Sequence, residues 1–337
     1  MRNIAAIQGG LCGLPARLDG KKRIAKILRL LLCTAIFVLF HPQAGAQQRI
    51  EFSQYMLNLG SVNPAAAGNN GLINIFGTFR SQYAGFPNAP LTFDVSADIG
   101  FNIGKTKHGA GVRFYDNSAG IFAFQDVAVT YAYRIPLGKG TLSAGFNVDF
   151  STVGIDHDKI HNVESDYHES GDPAIDSEAN DFKVDLAVGV QYFSDKWFAG
   201  ASLYNILSPE YRLSDEMYFE KTMNMRFMGG YNFSFNNPLY KLKTYAIVNT
   251  DFISWSGAVN ANLEYKESYW GGIGYRIDGA VVFMAGIKVL NGLVIGYSFD
   301  LPTSKLASSA GSHEVLLSYS FSVDFSKKNK YKSIRYL

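Results

Sequence analysis

The chain has 337 residues, 14% of them aromatic and only 18% charged, with 33 glycines, 25 phenylalanines and 20 tyrosines. A formal net charge of +2 provides no field that would point to nucleic acid or a strongly acidic partner. Many Tyr, Phe, Val and Gly beside few charges argue for strands throughout and against a chain of surface helices.

The N-terminus reads as an address. Lys21, Lys22, Arg23, Lys26 and Arg29 precede an apolar run from Leu30 to Phe40, followed by Ala44-Gly45-Ala46, a small-x-small cleavage site. The run has 11 residues, too few to span a bilayer as a helix, where about twenty are needed. Residues 1–46 are therefore expected to be a cleaved signal peptide. Cys12 and Cys33 both lie within it, so the mature chain holds no cysteine, which excludes disulfides and cysteine–metal sites.

Residues 47–71 form a separate segment before the repeating pattern begins. Phe52, Tyr55, Met56 and Leu59 sit at i, i+3, i+4 and i+7, one face of a short helix. Asn63-Pro64 stops it, and Gly68-Asn69-Asn70-Gly71 turns into the first strand. Two helical turns are marginal alone, so this face needs a surface to pack on. It is a candidate plug or partner-docking segment.

From residue 72 to 325 the signal is alternation. In Leu91–Asn102, Leu91, Phe93, Val95, Ala97, Ile99 and Phe101 alternate with Thr92, Asp94, Ser96, Asp98, Gly100 and Asn102. In Asp126–Ile135, Val127, Val129, Tyr131, Tyr133 and Ile135 stand opposite Asp126, Thr130 and Arg134; Leu142–Ser151 repeats the pattern. Such segments are two-faced strands. A soluble sandwich or propeller also alternates. However, runs of about nine to twelve residues suit tilted membrane strands, and no long repeat supports a propeller. Small polar residues on one face and aliphatic residues ending in Phe and Tyr on the other match a hydrated interior, a lipid-facing exterior and aromatic girdles.

Strands are expected near 72–80, 91–101, 109–116, 124–135, 141–153, 183–193, 196–204, 223–233, 242–251, 258–265, 269–276, 280–290, 293–299 and 313–325. The fold class is thus all-β, a transmembrane antiparallel barrel of about 14 strands, an even number as such barrels have. Gly138-Lys139-Gly140, Ser194-Asp195, Lys266-Glu267-Ser268 and Asn291-Gly292 are short turns on one side. The long connections 154–182, 205–222 and 300–312 fall on the other. Short turns belong at the periplasmic end and long loops outside. Residues 326–337 are a basic tail.

The sequence resembles the PorP/SprF family of type IX secretion and gliding-motility outer-membrane proteins of Bacteroidetes. The resemblance is carried by Phe52-Ser53-Gln54-Tyr55-Met56, Asn63-Pro64-Ala65-Ala66-Ala67-Gly68 and Arg80-Ser81-Gln82-Tyr83. It continues in Gly271-Gly272-Ile273-Gly274-Tyr275-Arg276, Gly296-Tyr297-Ser298-Phe299-Asp300 and Gly311-Ser312-His313-Glu314. The family often has Trp where this chain has Tyr83. Membership implies a role rather than a reaction: export or surface attachment of particular adhesin-like cargo, in company with periplasmic secretion-machinery proteins. Outer-membrane lipid is the expected surroundings; no cofactor and no nucleic acid are expected.

Residue chemistry points the same way. His157, His161 and His168 share a loop with Asp156, Asp158, Glu164, Asp166 and Glu169, but without an established metal-ligand spacing a solvated acidic loop is the simpler reading. No nucleophile elbow accompanies His313, and no helix follows the glycines at 109–111 to make a phosphate loop. No enzyme is expected. The inward face carries both signs: Asp94, Asp98, Arg113, Asp126, Arg134, Asp149, Lys183, Asp185, Arg226, Glu264, Arg276 and Lys288. Mixed charge can pair across a lumen and occlude it. The alternative is a general porin or solute channel with an open, conducting lumen.

Overall fold

The computed structural model describes residues 52–156, 159, 180–214, 217–289, 292–303 and 308–322. The expected signal peptide, residues 47–51, the loop histidines, Asn291 and the basic tail lie outside the described residues. No described helix is long and apolar enough to cross a membrane; the strands do the crossing.

The strands are β1 Ile73–Ser81, β2 Leu91–Ile103, β3 Thr106–Ala119, β4 Phe122–Leu137, β5 Gly140–Ile155, β6 Asn180–Phe193 and β7 Trp197–Tyr204. Two short strands follow, β8 Glu210–Arg212 and β9 Tyr218–Glu220. Then come β10 Asn224–Ser234, β11 Tyr240–Thr250, β12 Trp255–Tyr265, β13 Tyr269–Arg276, β14 Ala280–Val289, β15 Leu293–Pro302 and β16 Ser312–Phe321. All but β8 and β9 form one closed barrel, each strand hydrogen-bonded to its chain neighbours. β1 closes on β16 antiparallel, from Ile73 opposite Phe321 to Ser81 opposite His313. Closure leaves no free edge, the condition for strands in hydrocarbon.

The register follows the expected alternation. Val129, Phe146 and Phe93 are exposed on the outer wall, whereas Thr130, Asn147, Arg134 and Asp94 are buried inside. Several strands exceed the predicted segments: β3 and β4 gain residues at both ends and meet in a tight Gly120-Ile121 turn. The gap of residues 102–108 left between the predicted strands shrinks to Gly104-Lys105, with Gly104 at φ 61°. On the loop side, Gly120-Ile121 is a tight connection beside Asp278-Gly279. Ser81, just past the predicted end of the first strand at 80, belongs to it.

The loop between β7 and β10 is not plain coil. β8 and β9 pair as a hairpin, Tyr211 opposite Phe219. Buried Tyr211 and Leu213 pack on Val153 and Ile155 at the end of β5. This hairpin folds inward over the loop-side mouth.

Candidate functional site

The segment before β1 lies inside the barrel. It is not an α-helix: three single 3-10 turns, Tyr55–Leu57, Leu59–Ser61 and Pro64–Ala66, succeed one another. Asn58, at φ −126° and ψ 73°, separates the first two, and Pro64 opens the third, where a missing N–H costs nothing. The i, i+3, i+4 pattern reads correctly as one apolar side but assigns the wrong helix type. Short 3-10 turns leave carbonyls unpaired along the segment, and wall side chains take them up. Ser202 Oγ donates to Val62 O at 2.8 Å, Ser143 Oγ to Ala65 O at 2.6 Å, and Arg113 Nη1 to Ser61 O at 3.3 Å. Arg134 donates to the carbonyls of Ala67 and His108.

Asn63 is fully buried and serves the segment and the wall together. Its Oδ1 caps the third turn by accepting from Ala65 N at 3.0 Å, and its Nδ2 donates to Val190 O at 3.1 Å. Room for this comes from glycines. A Cβ added to Gly145 would lie 2.6 Å from the backbone of Pro64 and Ala65.

Phe52, Tyr55 and Met56 are buried, and Leu59 is partly buried. Tyr55, Met56 and Val62 pack on Met228, Ile247, Ala258, Val282 and Met284. The inner wall from β10 to β14 therefore carries an apolar patch that simple alternation does not anticipate. Because these side chains are buried, the segment, here called the plug for its place inside the barrel, does not present them as a surface.

The plug is held most strongly at its start, towards the loop end. Arg80 of β1, Asp300 of β15 and Glu314 of β16 meet around Ser53 and Gln54. Arg80 Nη2 lies 2.6 Å from Asp300 Oδ2, and Nη1 lies 3.1 Å from Glu314 Oε2. Ser53 Oγ donates to Asp300 Oδ1 at 2.7 Å and accepts from Arg80 Nη1 at 3.0 Å. The Glu314 carboxylate accepts from the backbone N–H of Ser53 at 2.7 Å and of Gln54 at 2.9 Å. Arg276 Nη1 stands 3.8 Å from Asp300, a second cation beside Arg80 on that carboxylate. An ion cluster this deep is tolerable only when its hydrogen-bonding capacity is so nearly filled.

These latch residues come from the strings Phe52–Met56, Arg80–Tyr83, Gly296–Asp300 and Gly311–Glu314, and the sequence matches the family described as type IX secretion system membrane protein PorP/SprF over residues 44–319. The chain belongs to the PorP/SprF family. No curated protein matches the sequence. Among solved structures, Acinetobacter baumannii Omp33 is similar at 7% identity and TM-score 0.43, covering 75% of this chain and 98% of that one. The CymD monoaromatic hydrocarbon channel is similar at 11% identity and TM-score 0.46, covering 83% and 94%. A Pseudomonas aeruginosa FadL homologue is similar at 10% identity and TM-score 0.41, covering 77% and 91%. At these values the likeness carries no argument about ligand or transport.

In this PorP/SprF barrel the predicted lumen charges are mostly neighbours in pairs rather than a cross-lumen lattice. Asp94 pairs with Arg113, Asp126 with Lys221 at 2.8 Å, and Glu264 with Lys243 at 2.6 Å. Arg276 also meets Asp278 at 3.2 Å, and Lys183 meets Asp181 at 3.0 Å. Asp98 accepts from Asn74 Nδ2 at 2.6 Å, and Asp185 from Leu207 N at 3.0 Å. Arg226 lies over the Tyr204 ring at 4.5 Å. Asp149 also points inward, and Lys288 is exposed near the turn end. Sequence reasoning missed Arg80, Asp300 and Glu314 as lumen charges; their inward parity, shared with buried Thr78, Ser298 and Leu316, was the available signal.

His108 and His313 lie on the outer face among aromatic rings. His108 stacks on Phe101 at 5.6 Å between ring centroids, and His313 lies 5.2 Å from Phe299. This is the girdle position that amphipathic rings favour. Neither imidazole faces the latch.

Proposed function

We propose that the protein is a plugged, non-conducting outer-membrane component of the type IX secretion and gliding machinery. It supports export or surface attachment of particular adhesin-like cargo proteins and works with periplasmic proteins of the apparatus. It reaches the outer membrane after cleavage of residues 1–46, with its long loops outside and its short turns in the periplasm. Bacteroidetes are the expected source. Family membership supports the secretion role, and the non-enzymatic reading rests on the same ground.

One observation carries the non-conducting part: residues 52–67 cross the lumen and bond to side chains on both sides of it, from Glu314 to Ser143. A solute channel needs a continuous wet path, and this segment lies across it. A structural plug also explains why the inner wall spends apolar residues on Met228, Ile247 and Val282.

The experiment is surface proteomics of a deletion strain beside its parent. Loss of one or a few large surface proteins, with solute uptake unchanged, is expected. An intact surface proteome with impaired uptake of small solutes would transfer the assignment to a porin. Orientation is tested separately by single cysteines at Lys139 and Asp278, labelled on whole cells with an impermeant reagent; only position 278 is expected to react.

A further inference from the structure

Between the plug and the β8–β9 hairpin lies a cavity of about 670 Å³, within the range of small-molecule sites. It opens towards the loop end. On the β10 side its floor borders the plug: two residues further along from the lining Arg226, Met228 packs in the cluster that holds Tyr55 and Met56.

The lining has a definite chemistry. Tyr115, Phe122, Phe124, Tyr204 and Phe219 supply aromatic surface. The charged groups are already engaged: Lys221 Nζ bonds Asp126 at 2.8 Å, while Arg226 stacks on Tyr204 and donates from Nε to Asn224 Oδ1 at 3.2 Å. What remains unsatisfied is neutral. Gln82 Oε1 is buried with no hydrogen-bond partner among the described residues. Asn117 accepts from Thr92 through Oδ1 at 3.0 Å, which leaves its amide N–H groups to a visitor.

Both cations of the lining already have partners, so an acidic ligand would have to compete for them. An extended peptide would find no free strand edge on the wall, since β1, β3, β4, β7 and β10 each pair on both sides. Aromatic faces beside uncommitted amides suit a neutral, hydroxyl-rich ligand with an apolar ring face: the rings cover its C–H groups, and the amides exchange hydrogen bonds with its hydroxyls. We propose that this loop-end vestibule is a binding site for a neutral saccharide, reached from the loop side. The plug makes it a receptor pocket rather than a stage of a channel. The proposed secretion role does not rest on this cavity, so failure here leaves that reading standing.

The test uses the purified full-length protein in detergent on an array of neutral, sialylated and sulfated oligosaccharides, followed by calorimetry with the best neutral binder. Binding by one or more neutral oligosaccharides is expected. Gln82→Leu and Phe124→Leu should each weaken it on the order of tenfold, as loss of one neutral hydrogen bond or ring contact does. Lys139→Ala, in a turn at the opposite end, should leave it unchanged. Heat-modifiable migration on gels shows that each variant is folded. Binding of acidic glycans alone, no glycan binding, or neutral binding indifferent to both cavity variants overturns the proposal.

Discussion

Arg80 and Asp300 form an ion pair that reaches over a strand: β16 lies between β1 and β15, yet Nη2 and Oδ2 are 2.6 Å apart, with side chains only 2% and 3% exposed. Ser53 of the plug sits in the same cluster, so the seam that closes the barrel is also the latch that holds its plug. Removing one partner of a buried pair costs about 3–5 kcal/mol because the other charge stays buried. Arg80→Met leaves Glu314 without its cation and Asp300 with the more distant Arg276, and should lower stability by about that amount, read as the urea midpoint of unfolding in detergent. Arg212→Met, at an exposed pair in the hairpin, should change it by less than about 1 kcal/mol. Equal effects would mean that the latch does not bear on stability.

Gly145 on the inner wall and Gly271 on the outer wall give a steric test. At Gly145 an added methyl group meets plug backbone at 2.6 Å, whereas at Gly271 the nearest atom is Met284 O at 3.8 Å. Gly145→Ala should displace the plug and raise proteolysis near residues 58–64, while Gly271→Ala should behave as the parent. Unchanged protection in Gly145→Ala would show that the plug does not pass so close to β5.

Much of this fold is legible in the sequence because lipid enforces a strict period of two. Val127, Val129, Tyr131 and Tyr133 can face only one way once one side of the sheet is hydrocarbon. The inner wall is less legible, since it answers to the plug rather than to water. Met228, Ile247 and Met284 break the polar pattern where Tyr55 and Met56 press on them. The latch escaped for another reason: Arg80 and Glu314 are separated by 234 positions, and only barrel closure brings them together. The β8–β9 hairpin is too short for periodicity to reveal.

The filled interior changes what a wall substitution should do. Val129→Arg places a charge in lipid at a cost of about 2–4 kcal/mol, so less folded barrel should be recovered by heat-modifiable migration, whereas Val129→Leu should be neutral. An empty lumen would receive Thr130→Arg easily. Here Thr130 is buried and donates to Asn147 Oδ1 at 2.7 Å, so Thr130→Arg should also impair assembly. Free acceptance of Arg at Thr130 would point to a roomier interior than this one.

A pH effect is expected at the turn after β11. Burial pushes the Asp251 carboxyl up, but the N–H groups of Ser254 and Ile253 and the Ser254 hydroxyl outweigh it, holding its pKa below the ordinary value. A depressed carboxylate stabilises the turn at pH above its unfolded value of about 3.9. That contribution is lost as pH falls through the lower, folded value. Titration of the carboxyl carbon by NMR should give a midpoint below that of an unfolded Asp. A midpoint at or above it would contradict the turn geometry.

Planar-bilayer conductance of the purified, intact protein tests the plugged barrel most directly. The latch and the wall bonds to residues 52–67 predict no stable open state at moderate voltage, and a sustained large current when Arg80→Met and Asn63→Ala are combined to free both ends of the plug. A stable, large conductance in the unaltered protein would contradict the account.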